Sequence, residues 1–203
     1  MSDNPVVQKK SLWFRRALIS LAFVCVAAGV SVAGLRLHRN YQYPFGWSHS
    51  CDSALQLVLL NYAEAHDGAF PSGEATPEAS LSLLARSPWD ANAELLRGKT
   101  VPKDVVESIL ARGDLLGPET CGWHYVEGLR KDDDSRIALF WDKVGLGHNG
   151  DRLSNGDRIV TRIGTPHETI PGAQWSAFLK EQKALLEELP ADRRGIALRN
   201  FPE

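Results

Sequence analysis

The chain has 203 residues, a formal net charge of −2, 43% hydrophobic residues and three cysteines. That length accommodates one domain of ordinary size with extensions, and the balanced charge excludes the basic footprint of a nucleic-acid-binding domain. A mean hydropathy of −0.23 conceals an uneven distribution, because residues 17–35 contain no charged side chain.

As a helix, that segment is about 28 Å long and matches a hydrocarbon core of about 30 Å, so a transmembrane helix is expected over residues 17–36. Lys9, Lys10, Arg15 and Arg16 precede it and only Arg36 and Arg39 follow closely. The positive-inside bias therefore places a basic stub, 1–16, in the cytoplasm and exports the remainder. The expected location is a bacterial inner membrane with the C-terminal part in the periplasm. Trp13 and Phe14 on one side, and Tyr41, Tyr43 and Trp47 on the other, suit the two interfacial aromatic belts. A cleaved signal peptide is the rival reading, but its apolar region is only about 7 to 15 residues long. Ala27, Ala28, Ser31 and Gly34 include small-xxx-small spacings, a candidate face for pairing with a partner helix.

Beyond Arg36 the chain carries 18 Lys and Arg against 24 Asp and Glu, a net charge of −6. That sign favours solubility and argues against nucleic acid or anionic lipid as a partner of the bulk surface. Cys51 and Cys121 fall in this part. In an oxidising compartment they are expected to form a disulfide closing a loop of about 70 residues, with two buried free thiols as the alternative.

Residues 37–50 are expected to be a linker, since Pro44 and Gly46 interrupt a helix. The exported domain then spans 51–189. Asp52 or Ser53 caps a helix reaching about His66, with Leu55, Leu59, Tyr62 and Ala63 on one stripe and Gly68 beyond. Thr76-Pro77-Glu78 opens a short helix through Leu81, Leu84 and Ala85. Residues 90–97 form a turn or two, and 102–112 an amphipathic helix stopped by Gly113. Three strands follow at 122–126, 135–141 and 157–163, joined by Lys131-Asp132-Asp133-Asp134 and by the Asn149-Gly150 and Asn155-Gly156 turns, so an antiparallel meander is the simplest topology. A last amphipathic helix runs over 172–189 and ends at Pro190, leaving 190–203 as a flexible tail. The fold class is α+β, helices packed on a small antiparallel sheet.

Chemistry is harder to find. Gly145-Leu146-Gly147-His148-Asn149-Gly150 has the glycine spacing of a dinucleotide fingerprint, but no helix opens behind it to receive a pyrophosphate. Nucleophile elbows and Walker loops are absent, so no catalytic residue and no cofactor are expected. Asp142, His148 and Asp151 are the residue types a metal would use, yet they lack His-x3-His, Cys-x2-Cys or EF-hand spacing. Trp123, Trp141 and Trp175 suit either a ligand groove or sheet–helix packing, with packing the expectation.

The segment Asn61-Tyr62-Ala63-Glu64-Ala65-His66-Asp67-Gly68-Ala69-Phe70-Pro71 is followed by the Ser80–Leu84 helix and a cysteine before a strand. Trp141-Asp142, Gly147-His148-Asn149-Gly150, Arg158-Ile159-Val160 and His167-Glu168 come after, in that order. This order resembles type IV pilins and pseudopilin-like proteins, nearest a planctomycete-type bacterial branch whose domain ends in a His-x9-Asp-Gly pattern. The chain departs from the pattern in three respects. The Asp-Gly is missing, the spacing from His148 to His167 is longer, and no prepilin-peptidase site precedes Ala17. The helix is also interrupted at Pro44, where pilins continue. The resemblance thus implies a pilin-like domain without processed-pilus assembly, acting through protein contacts as a pseudopilin-like or scaffold component, with envelope or type II secretion proteins as partners. A membrane-tethered metal-dependent hydrolase and a small-ligand or glycan-binding module are the alternatives.

Overall fold

The computed structural model describes residues 5–86, 88–199 and 201–202, and for 5–12, 14 and 17 it describes the backbone only. Residues 1–4 of the expected cytoplasmic stub lie outside the described residues, as do the side chains of Lys9, Lys10 and Phe14. The chain divides into two compact units, Met1–Gln42 and Tyr43–Glu203.

The first unit is one helix, α1 (Pro5–Gln42). Its Leu18–Gln42 stretch is long and apolar enough to cross a membrane, and none of its most apolar window is buried. The helix runs past the expected end at Arg36, because no helix breaker occurs before Pro44. Ala27, Ser31 and Gly34 are exposed on α1, and the Ser31 hydroxyl donates to the Ala27 carbonyl at 2.9 Å, satisfying itself within the helix.

The second unit opens with α2 (Asp52–Ala65), which buries Leu55, Leu59 and Ala63 and ends where the Gly68 N–H returns to the Ala63 carbonyl at 2.7 Å. Gly68 has φ +87°, a conformation that favours glycine. Next come α3 (Pro77–Leu81), with the Thr76 hydroxyl accepting from the Ala79 N–H, and α4 (Ala93–Leu96), capped in the same way by Asn92. α5 (Lys103–Ala111) completes the helical half.

The strands are β1 (Trp123–Tyr125), β2 (Ala138–Asp142), β3 (Arg158–Arg162) and β4 (Glu168–Ile170), antiparallel in the order β1-β2-β3-β4. The meander is as expected. The fourth strand is an addition, since its three residues show no apolar alternation and pair only at the sheet edge. α6 (Trp175–Glu187) carries the expected apolar stripe, with Phe178, Leu185 and Leu186 buried. After Pro190 the chain forms α7 (Ala191–Leu198) instead of a flexible tail. It is held by buried Ala197 and by the Arg193 guanidinium gripping both Asp133 oxygens at 2.6 and 2.9 Å.

Alternation along β1 and β2 gives the sheet two unlike faces. On one, Trp123 meets Phe140 edge-on at 5.2 Å, Trp123 Nε1 donates to the Leu95 carbonyl and the Tyr125 hydroxyl donates to the Pro71 carbonyl, both at 2.8 Å. On the other, His124 stacks on Trp141 at 4.2 Å, and Trp141 packs against Trp175, Phe178 and Phe201. β2 is consequently buried along its whole length.

The expected Cys51–Cys121 disulfide is not formed, and both residues are free thiols. Cys121 is buried with Sγ 3.3 Å from the Leu96 carbonyl, and burial pushes its thiol up to about 12, so it is a neutral packing group. Cys51 instead precedes α2 as its N-terminal flanking residue. Sequence separation carried no information about the geometry that a disulfide requires.

Candidate functional site

The most unusual side-chain group lies under the Trp123 face of the sheet. Lys99 is 0% exposed, and its ammonium touches both Asp52 oxygens at 2.9 and 3.1 Å and Asp142 Oδ2 at 2.5 Å. Three separate pieces of local structure bring these groups together. Asp52 is the first residue of α2, where the helix N-terminus favours a carboxylate. Asp142 ends β2, opposite Trp123 in register. Lys99 follows a backbone crossing that only glycines permit: a Cβ on Gly98 would meet the Gly122 backbone at 2.8 Å, and one on Gly122 would meet the Arg97 carbonyl at 2.7 Å. The Gly122 N–H donates to that same Arg97 carbonyl at 2.9 Å, pinning the lysine segment to the start of the sheet. The Trp123 ring, centred 5.2 Å from Nζ, closes the remaining side.

One cation faces two carboxylates in a place water does not reach. Burial works to lower the Lys99 pKa, but Asp142 and Asp52 together outweigh it and hold the ammonium above its ordinary value. Two carboxylates against one ammonium leave one negative charge in excess, and the carboxyl that burial perturbs is that of Asp142. Burial raises its carboxyl to about 7 against the pull of Lys99, and its Oδ1 is buried without a hydrogen-bond partner. A half-exposed ring borders the group: His148 Nδ1 lies 3.4 Å from Asp52 Oδ2. The arrangement is one ammonium shared between two carboxyl groups in a dry site.

The three residues of metal-binding type, Asp142, His148 and Asp151, have other partners. Asp142 faces Lys99, His148 faces Asp52, and the Asp151 carbonyl accepts the Gly147 N–H at 2.7 Å within a tight turn. Among the described residues no three His, Cys, Asp or Glu side chains converge as metal ligands. The 145–150 glycine loop opens no helix and instead holds residues 46–48, with the Ser48 N–H donating to the Asn149 carbonyl at 3.0 Å. Trp123 and Trp141 are buried as packing groups, and Trp175 stacks on Phe178 beneath the Arg158 guanidinium.

A second polar feature is a cleft of about 260 Å³ beside β1, lined by Thr76, Pro77, Glu78, Pro118, His124 and Lys143 among others. Lys143 Nζ is committed there to Glu78 at 2.7 Å and to the Pro118 carbonyl at 2.6 Å. Burial lowers the His124 pKa to about 4, so the ring is neutral at physiological pH.

Sequence reasoning noted Asp142 only as a residue type that a metal would use, read Asp52 only as a helix cap and missed Lys99. The available signal was Asp142 closing an apolar strand, which calls for a buried counter-charge. No protein-family model, no curated protein and no solved structure matches this chain.

Proposed function

We propose that this chain is a single-pass envelope protein of a bacterial inner membrane, its N-terminus cytoplasmic and its pilin-like α+β domain exported to act through contacts with other proteins as a pseudopilin-like or scaffold component. The observation that supports this most is the division of apolar surface. Tyr43–Glu203 closes a core of its own, whereas the apolar stretch of α1 is exposed and suits an apolar surround. The buried, mutually paired Lys99 group favours a structural domain over one that opens a charged site to substrate.

The test is cross-linking in intact membranes with identification of captured proteins, combined with protease accessibility of the domain from the periplasmic side. The proposal expects an uncleaved chain in the membrane fraction, a domain digested only from the periplasm, and a defined envelope protein cross-linked to it. Recovery of a shortened soluble chain, or of a domain accessible from the cytoplasm, overturns it.

A further inference from the structure

We propose that Lys99 and Asp52 join spontaneously through an intramolecular amide bond, with Asp142 as the catalytic acid–base. The reacting groups are already in contact. Lys99 Nζ sits astride both oxygens of Asp52 at 2.9 and 3.1 Å, so nucleophile and target carboxyl are held together without an encounter step. Asp142 Oδ2 lies 2.5 Å from the same nitrogen, on a different element from Asp52, so the amine has a proton acceptor that is not also its target. All three side chains are 3% exposed or less, so the water that would solvate the ammonium and reverse the condensation is excluded.

The step balances without any other reactant. Asp142, as a carboxylate, takes one proton from the Lys99 ammonium and leaves a free amine. The nitrogen lone pair attacks the Asp52 carboxyl carbon, forming the C–N bond and a tetrahedral centre. Asp142 returns its proton to one Asp52 oxygen, a second proton moves there from the nitrogen, the C–O bond breaks and water departs. An ammonium and a carboxylate become an amide and one water, and Asp142 ends as it began. Its raised pKa, about 7, suits a group that must both accept and return a proton near neutrality. The ammonium–carboxylate pair becomes a neutral amide, and the cluster keeps its single excess negative charge on Asp142.

An amide here would tie the first turn of α2 to the turn after α4, across 47 residues of chain. It would act as a covalent staple in a domain whose Cys51 and Cys121 remain separate.

The experiment is intact-mass measurement of the purified full chain, followed by tryptic mapping. The expected result is a chain lighter than its sequence by one water, resistance to trypsin after Lys99, and one branched peptide joining residues 40–86 to 98–103. Asp142→Asn and Asp52→Ala should each restore the sequence mass and cleavage after Lys99. The wild-type chain at its sequence mass, with Lys99 cleaved by trypsin, overturns the proposal whether or not the variants fold. Loss of water at any other site with Lys99 cleaved normally overturns it too, as does an undiminished branched peptide in Asp142→Asn.

Discussion

The two faces of the sheet bury ionisable groups in opposite ways. Under one face, Lys99 and two carboxylates keep charge inside the core by pairing it. Under the other, His124 lies flat on Trp141 with Phe201 at its edge and stays neutral instead. The residues belong to the same strand pair and alternate side by side, so the difference comes from what the covering elements bring. The helical half contributes Lys99, whereas the C-terminal half contributes Trp175, Phe178 and Phe201. Desolvation pushes both toward neutrality, raising Asp142 to about 7 and lowering His124 to about 4. Lys99, touched by two carboxyl groups, keeps its charge, and His124, stacked on a ring, gives it up.

Removing the counter-charge breaks this contrast most severely. Lys99→Met leaves two carboxylates facing each other in a dry site, and we expect a loss of about 3–5 kcal/mol in denaturant unfolding. The triple variant Lys99→Met, Asp52→Leu, Asp142→Leu removes every charge at once. If pairing is what the site requires, it should recover most of that loss, and a triple variant no more stable than Lys99→Met refutes the charge account.

That cluster also marks where sequence stopped being informative. The helices with caps and glycine stops, Thr76-Pro77 and Gly113 among them, and the three strands rich in aromatic and β-branched residues were readable because their signals are local. Lys99 was not, since its burial depends on a Gly98–Gly122 backbone crossing between segments far apart in sequence. For the same reason the Cys51–Cys121 pair was expected and is absent, and α7 was read as a loose tail. Nothing local says that Arg193 reaches Asp133.

The pH dependence of the two faces should have opposite sign. Asp142 holds its proton up to about 7 in the folded chain but only to about 3.9 when unfolded, so the folded state binds the extra proton between these values. Stability of the wild type relative to Asp142→Asn should therefore fall by a few kcal/mol as pH rises from 4 to 7 and level off above. His124 behaves inversely. Its folded pKa, about 4, lies below the unfolded value of about 6.5, so its contribution is complete above pH 6.5 and is lost as pH falls toward 4. Relative to His124→Phe, the wild type should lose roughly 2 kcal/mol between pH 7.5 and 4.5. Melting curves of the three proteins across that range separate two slopes that partly cancel in the wild type alone. Parallel curves for wild type and Asp142→Asn would mean that Asp142 is ionised at all these pH values.

The smallest effect concerns how the neutral face is closed. Arg193 donates to both Asp133 oxygens from α7, and a bidentate guanidinium–carboxylate contact of this kind is partly shielded, with the carboxylate 9% exposed. Phe201, three residues past the end of α7, packs against both Trp141 and His124, so the ion pair fixes the element that delivers the ring. Arg193→Ala should cost only about 1 kcal/mol globally, as expected for a single ion pair near the surface. Its local effect should be larger. Amide exchange over Ala191–Leu198 should rise well above the wild type while β1 and β2 stay protected, and the His124 pKa should move up toward its ordinary value as water reaches the ring. An unchanged His124 titration in Arg193→Ala would show that Trp141 and Phe178 keep the histidine dry without help from α7.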